Sequence, residues 1–314
     1  MSTVGGKPLS RIAIIGVGEV GGAAAFALII SSIARELLLV DINTTLRDGQ
    51  VRDLSDVAYS SNSVTRVRAA THHEAGQCDI VVITAGSKSV LGQPNLERVY
   101  RNVSIIRNVV DAMKPIRQDA IVVVVSNPVD LATTLVLELS KLPQEQVLGA
   151  GTFLDSVRIR GMIADEIGVA ANSLDVYVLG VHGDPQVVAW STATIGGVPL
   201  DKSLQHGNQV DHERVAQECK DRSRSIIRAK GANPFGISSI VCSICASILL
   251  DKRNVRPVSC FRPGYGCCFS WPVVLGRKGI IRAIDVPLNN RERADIDETA
   301  KTLKATVTHV LADG

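Results

Sequence analysis

The first half of the chain alternates short apolar runs with helical patterns, and this alternation constrains the fold more than any other feature. The runs are rich in β-branched residues and lack polar alternation, as expected of strands buried on both faces. Strands that alternate with helices form βαβ units, which build a parallel sheet with right-handed crossovers. The runs are residues 11–16, 36–41, 79–86 and 120–128, and helical spacing covers residues 96–113 and 129–142.

The pattern changes after about residue 150. Helical segments and alternating runs typical of antiparallel strands follow one another up to a final amphipathic helix. We therefore predict an α/β protein, with a Rossmann doubly wound parallel sheet in residues 1–150 and a mixed α+β substrate domain in residues 151–314. The predicted helices are 154–167, 211–229, 236–250 and 290–311, and the predicted strands are 256–261, 267–275 and 279–286.

The composition excludes several classes of partner. The net charge is only +3 and aromatic residues make up 4% of the chain, so we expect no binding to nucleic acid or anionic membranes. The N-terminus has no signal-peptide pattern, and the longest apolar stretch, residues 17–33, is interrupted by glycines and by Glu19. These features predict a cytoplasmic protein without a membrane span.

The cysteines give no sign of disulfide or metal chemistry. Their number, seven, is odd, and they are scattered over a large chain, as is typical of free thiols in a reducing compartment. Cys242 and Cys245 form a CxxC motif, but they lie in an apolar helical pattern that favours core packing. Because no second Cys or His pair has zinc-like spacing, we expect no metal.

A glycine-rich turn follows the first predicted strand. It reads GxGxxG, with Gly16, Gly18 and Gly21 flanking Glu19 and Val20. The glycines permit a tight turn, close approach of a pyrophosphate, and packing of helix on strand, while the helix N-terminus attracts phosphate. The turn therefore predicts a dinucleotide site.

Three further segments end predicted strands at the same edge of the sheet. Asp41 closes the second strand, where a carboxylate accepts hydrogen bonds from ribose hydroxyls and repels a 2′-phosphate, so NAD is favoured over NADP. The segment Thr84, Ala85 and Gly86 and the residue Asn127 end two other strands. Ligands of such sheets bind at these ends, so we expect all of these residues to contact the cofactor, and Asn127 to contact the substrate as well.

These residues belong to a series of motifs that resembles the L-lactate/malate dehydrogenase family, on its lactate dehydrogenase side. The resemblance covers nearly the whole chain and implies NAD as cofactor, a small carboxylate substrate and a homo-oligomer, either a dimer or a tetramer. The most specific segments are 83–86 (ITAG), 101–103 (RNV), 126–130 (SNPVD), 151–160 (GTFLDSVRIR), 178–184 (VLGVHGD) and 230–237 (KGANPFGI).

The resemblance implies roles for three side chains. His182 matches the family's proton donor and acceptor, Asp155 the carboxylate that orients it, and Arg158 the arginine that binds the substrate carboxylate. The chemistry fits these residue types, because histidine titrates near neutral pH, aspartate fixes its tautomer, and guanidinium binds a carboxylate with two parallel hydrogen bonds. Asp155 and Arg158 are three residues apart on one predicted helix, so they share a face.

The sequence departs from the family pattern around the substrate. Ser89 takes the position of the specificity residue in the loop, and Asn95 takes the position of the arginine that polarises the substrate carbonyl. Arg98, one helical turn further on, is a candidate replacement. Asn233 replaces a small hydroxyl residue of the pocket. Loss of a donor such as the arginine that Asn95 replaces typically costs about 10²–10³ in rate, so we expect slow or absent pyruvate reduction. We expect Ser89, Asn95 and Asn233 to contact a different substrate.

Three functions remain open from the sequence. The first is an NAD-dependent oxidoreductase that acts on a bulkier 2-hydroxy or 2-oxo acid. The second is a redox-neutral isomerase, epimerase, cyclase or lyase that uses His182 and Asp155 as an acid–base pair. The third is an NAD-binding structural or regulatory subunit, which the retention of His182, Asp155 and Arg158 argues against. A change in NADH absorbance during turnover separates the first from the second.

Overall fold

The computed structural model describes residues 3–4, 7–8, 10–87, 95–204 and 209–312. A two-stranded pair, β1 (Thr3–Val4) and β2 (Lys7–Pro8), precedes the main sheet. Six parallel strands then form the sheet's first part: β3 (Arg11–Ile15), β4 (Glu36–Val40), β5 (Arg66–Ala69), β6 (Ile80–Ile83), β7 (Ile121–Val124) and β8 (Val147–Gly149).

The order of these strands is β5-β4-β3-β6-β7-β8. The chain therefore moves outward in one direction from β3 and then returns to continue from β6, which makes the sheet doubly wound. Right-handed crossovers place the helices that follow β3 and β4 on one face and those that follow β6 and β7 on the other. The crevice between β3 and β6 opens at their carboxyl ends, where ligands of such sheets bind. The helices of this half are α1 (Glu19–Ile30), α2 (Thr44–Ser60), α3 (His72–Ala75), α4 (Asn95–Met113) and α5 (Val129–Ser140).

The second half begins with α6 and adds helices to both sides of a strand cluster. Its helices are α6 (Phe153–Ile167), α7 (Leu200–Ser203), α8 (His212–Lys230), α9 (Pro234–Leu249) and α10 (Asn290–Ala312), with single 3₁₀ turns at Ala171–Ser173 and Trp190–Thr192. A further 3₁₀ turn, Gln144–Gln146, lies in the first half just before β8. Its strands are β9 (Leu174–Asp175), β10 (Val178–Leu179), β11 (Val187–Val188), β12 (Thr194–Ile195), β13 (Val198–Pro199), β14 (Asn254–Arg262), β15 (Cys267–Gly276) and β16 (Gly279–Ala283).

The antiparallel pairing predicted for the last three strands is confirmed, and these strands also extend the parallel sheet. β14 pairs with β15 and β15 with β16, all antiparallel. In addition, Ser259 of β14 lies opposite Gly149 of β8. The described residues therefore contain one nine-stranded sheet that continues from the first half into the second.

Two clusters of buried apolar side chains hold the elements together. The larger cluster includes Ile12 and Val81 of the parallel strands together with Ile240 of α9 and Phe269 of β15, so it extends through both halves. The smaller cluster lies between α6 and α8 and contains Ile159, Ile163, Val215 and Cys219. It fixes these two helices against each other.

Three further features concern membrane insertion, thiols and metal ions. Within the part of the chain that the structure describes, no helix combines the length and apolar character needed to cross a bilayer. All seven cysteines are free thiols, and Cys245 of the CxxC motif is buried in the core. In the same described ranges, no group of three or more His, Cys, Asp and Glu side chains is arranged to hold a metal ion.

Candidate active site

The glycine turn between β3 and α1 has the geometry that a dinucleotide pyrophosphate requires. Gly16 has φ +92°, and a Cβ there would lie 2.6 Å from the backbone of Ala85. A Cβ on Gly21 would lie 2.0 Å from the carbonyl oxygen of Gly16, so this glycine lets the helix pack on the turn. A Cβ on Gly18 would meet nothing within 4 Å. Space beside Gly18 and an α1 N-terminus that no side chain caps fit an anionic phosphate.

Asp41 follows β4 and is held by backbone groups on both sides. Its Oδ2 accepts from the N–H of Val17 at 2.8 Å, and its Oδ1 accepts from the N–H of Asn43 at 2.8 Å. Each carboxylate oxygen has a second lone pair that can accept another hydrogen bond. The carboxylate is therefore fixed beside the glycine turn with capacity left for hydroxyl donors.

The loops after β6 and β7 are joined by side-chain hydrogen bonds. The Thr84 hydroxyl donates to the Gly16 carbonyl at 2.6 Å, which ties the segment of Thr84, Ala85 and Gly86 to the glycine turn. Asn102 of α4 accepts from the Ser87 N–H at 2.8 Å and donates from Nδ2 to the Asn127 carbonyl at 2.7 Å. No role for Asn102 was predicted from the sequence, where it appeared only as part of the RNV segment. The two loops that it joins meet only in the folded chain.

His182 and Asp155 form a close acid–base pair. His182 lies in the turn between β10 and β11, and its Nδ1 is 2.9 Å from Asp155 Oδ2 on α6. Burial lowers the pKa of His182, but the hydrogen bond and negative charge of Asp155 outweigh burial, so the net pKa is raised. Burial likewise raises the pKa of Asp155, and its hydrogen bond with His182 reverses the shift and lowers the net value. The pair therefore favours an imidazolium beside a carboxylate.

Asp130 holds the backbone of the same histidine. This residue is the second of α5 and is buried. Its Oδ2 accepts a hydrogen bond from the His182 N–H at 2.7 Å. Burial raises its pKa to about 6, although the Ser259 side chain and the His182 N–H act in the opposite direction. In the sequence, Asp130 appeared only as the final residue of the SNPVD segment. Nothing there linked Asp130 to the turn that carries His182.

Arg158 lies one turn beyond Asp155 on α6 and is fixed by α8. Its Nη1 donates to the Ser223 hydroxyl at 2.6 Å and lies 3.5 Å from Asp155 Oδ1. The Asn233 amide, just before α9, donates to the same Ser223 oxygen at 3.5 Å. Ser223 was not predicted from the sequence, because the face that α8 turns toward α6 depends on the packing of the two helices.

These side chains share one cavity of about 550 Å³ at the carboxyl ends of the parallel strands. Arg98 of α4 lines the same cavity, so the structure brings it together with the acid–base pair. Asn95 is the first residue of α4, but its side chain lies outside the described residues, as does all of Ser89. The predicted residues among the cavity lining are Val20, Thr84, Gly86, Arg98, Asn127, Asp155, Arg158, His182 and Asn233.

Comparison with known proteins agrees with this geometry. Residues 10–149 match the model for the lactate/malate dehydrogenase NAD-binding domain, and residues 152–313 match the model for the α/β C-terminal domain of the same family. The chain is 40% identical to L-lactate dehydrogenase A of Rhizopus oryzae, over 94% of this chain and 92% of that protein. It is 34% identical to L-lactate dehydrogenase of Streptococcus uberis, over 98% of this chain and 96% of that protein.

Solved structures show the same similarity. The ligand-bound minor L-lactate dehydrogenase of Enterococcus mundtii superposes with a TM-score of 0.91 at 32% identity, covering 96% of this chain and 98% of that one. The predicted fold class, NAD as cofactor and a 2-hydroxy acid dehydrogenase-like enzyme are thus confirmed. The redox-neutral alternative and the non-enzymatic one are not favoured. The chain belongs to the lactate/malate dehydrogenase family.

Proposed function

We propose that this enzyme interconverts a 2-hydroxy acid and its 2-oxo acid, with a substrate larger than pyruvate. The observation that carries the proposal is the placement of His182, Asp155 and Arg158 around one cavity beside the glycine turn. Reduction of a 2-oxo acid requires two groups from the protein, a proton donor and a cation that binds the carboxylate, and both must reach the same bound substrate.

Arg158 binds the substrate carboxylate through two parallel hydrogen bonds, which the planar guanidinium donates without loss of charge. The contact with Ser223 holds the guanidinium in place before substrate arrives. Because Nδ1 of His182 faces Asp155, Nε2 is the nitrogen left to act on the substrate. NAD, when bound in its reduced form, supplies the hydride to C2. The C2–oxygen π electrons move to the oxygen, which takes the Nε2 proton, and Asp155 stabilises the imidazolium until that transfer.

The residues around the glycine turn fit the cofactor. We propose that Gly16, Gly18, Glu19, Val20 and Gly21 hold the pyrophosphate, supported by the open space beside Gly18 and the uncapped helix N-terminus. Asp41 would bind the adenosine ribose and disfavour NADP. The remaining cofactor contacts are proposed for Thr84, Ala85, Gly86 and Asn127, at the ends of β6 and β7.

The substrate pocket differs from that of a pyruvate reductase. With Ser89 and Asn95 as predicted substrate contacts and Asn233 just before α9, we propose a pocket that is larger and more polar than one built for a methyl group. In this proposal, Arg98 of α4 supplies a positive charge to the substrate. Its position in the cavity lining supports this role. An asparagine amide donates a hydrogen bond but brings no charge, so pyruvate is expected to be a poor substrate.

We further propose a cytoplasmic homo-oligomer, either a dimer or a tetramer, whose two domains are residues 1–150 and 151–314. The oligomer is supported by Phe26 and Ile30, which lie one turn apart on α1 and are 49% and 52% exposed. Sedimentation velocity tests it: we expect a mass of two or four chains, and a monomer at micromolar concentration contradicts it.

NADH oxidation with a panel of 2-oxo acids tests the proposed reaction. We expect turnover with acids larger than pyruvate and a slower rate with pyruvate. The His182→Asn variant should lose at least about 10²-fold in kcat/KM. His73→Asn, at an exposed histidine that does not line the cavity, should leave kcat/KM unchanged. If no 2-oxo acid is reduced and no 2-hydroxy acid is oxidised, the proposal is wrong.

A further inference from the structure

One face of α8 lines the active-site cavity. Lys220, Ser223, Arg224 and Ile227 all contribute to its wall, and their spacing of three, four and seven residues places them on one side of a helix. Contacts of Val215 and Cys219 with the apolar side chains of α6 hold this face in place. The wall that α8 contributes to the cavity is therefore built largely from polar and cationic side chains.

The acidic groups of the cavity already have partners. Asp155 pairs with His182 and lies near Arg158, while Asp130 accepts the backbone N–H of His182. Asp184 pairs with Arg224. The acidic side chains that line this cavity are therefore engaged before any substrate binds.

Lys220 differs from the other cations. Among the ion pairs within residues 10–87, 95–204 and 209–312, none includes Lys220. Its side chain is half-buried at the cavity wall. A substrate with a single carboxylate leaves this charge uncompensated, because Arg158 binds that carboxylate and His182 acts on the C2 oxygen.

We propose that the substrate is a 2-oxo acid whose side chain ends in a second carboxylate, and that Lys220 binds this group. The inference rests on the proposed function, since it takes the first carboxylate to lie on Arg158. Ser223, which contacts Arg158, is one turn from Lys220, a rise of about 4.5 Å along the helix axis. The long lysine side chain adds reach, so a five-carbon diacid spans the two cations.

A matched pair of five-carbon substrates tests the proposal with the NADH-loaded enzyme. One is 2-oxoglutarate, with a distal carboxylate, and the other is 2-oxovalerate, with a methyl group there. We expect the wild-type ratio of kcat/KM values to favour the diacid by at least about tenfold. Lys220→Gln should reduce this ratio by about tenfold, and Lys220→Glu should invert it, while Lys220→Arg should preserve it.

Arg228→Gln is the control, because it removes a positive charge from the same helix at an exposed residue that does not line the cavity. It should leave the ratio unchanged. A wild-type preference for 2-oxovalerate, or a ratio in Lys220→Gln within twofold of wild type, overturns the assignment of Lys220.

A binding measurement separates failure of this inference from failure of the proposed reaction. Calorimetric titration of the enzyme–NADH complex with 2-hydroxyglutarate and 2-hydroxyvalerate requires no turnover. The diacid should bind at least about tenfold more tightly, and Lys220→Gln should remove that advantage. If neither oxo acid is reduced but the diacid preference in binding depends on Lys220, the proposed reaction fails and the second-carboxylate site stands. Equal binding of the two acids contradicts the site.

Discussion

Replacing Asp155 with asparagine tests the acid–base pair without removing bulk from the core. The variant keeps a hydrogen-bonding side chain next to His182 Nδ1 but removes the negative charge that lies 2.9 Å away. That hydrogen bond and charge outweigh burial to raise the pKa of His182. Without them, burial prevails and the imidazole loses its proton at lower pH.

The distance sets the size of the effect. Two unit charges 2.9 Å apart attract each other by about 6 kcal/mol at an effective dielectric constant of about 20. At about 1.4 kcal/mol for each factor of ten, this corresponds to about four powers of ten in rate. Removing the buried carboxylate also removes its desolvation cost, and a neutral hydrogen bond remains. We therefore expect kcat/KM to fall by about 10²–10³.

The assay is the pH profile of kcat/KM for the 2-oxo acid that the wild type reduces fastest. Reduction needs protonated His182, so the rate falls as pH rises through its pKa, and in Asp155→Asn this fall should begin at lower pH. Asp165→Asn, at an exposed carboxylate of the same helix, is the control and should behave as wild type. A loss below fivefold at every pH, or an unshifted profile, refutes the role of Asp155.

Four other substitutions test the cofactor site and the support of His182. Asp41→Ser should raise the preference for NADPH relative to NADH by at least about tenfold in kcat/KM, because it removes the charge that repels a 2′-phosphate; an unchanged ratio counts against the ribose role. Gly18→Ala should fold normally and bind NADH at least about tenfold more weakly in a fluorescence titration, whereas Gly21→Ala, whose Cβ would lie 2.0 Å from a backbone oxygen, should lower the melting temperature. Asp130 has its pKa raised from 3.8 to about 6 by burial, so the folded protein binds the extra proton and stability should fall by about 3 kcal/mol as pH rises from about 4 to about 6. Urea unfolding of Asp130→Asn, which keeps an acceptor for the His182 N–H, should show a weaker pH dependence, and an equal slope contradicts the shift.

Long periodic segments and buried apolar runs could be predicted from the sequence, while very short strands could not. The runs at 11–16 and 36–41 became parallel strands because continuous β-branched residues suit burial on both faces. The four residues of β5 include two arginines at a sheet edge, and β8 has only three residues. Their strand character comes from pairing with neighbours, which a local pattern does not reveal. The continuation of the sheet from β8 into β14 is likewise a long-range contact.

The candidate site divides in a similar way. His182, Asp155 and Arg158 could be identified because they lie in specific motifs, and helical spacing alone placed the last two on one face. The contacts of Asn102 and Ser223 could not, since each joins segments that meet only through tertiary packing. The helix at 211–229 was predicted from its sequence, but the cationic face that it presents to the cavity was not, because that face depends on packing against α6.

In the proposed reaction, C2 of a 2-oxo acid takes a hydride from NADH while its oxygen takes a proton from His182. Mass spectrometry of the product formed with NADH deuterated at its reactive C4 position tests this reaction. We expect one deuterium at C2 for each NADH oxidised, and loss of labelled product in His182→Asn. Product without deuterium, or product that forms at the same rate when nucleotide is omitted, would contradict it and indicate redox-neutral chemistry.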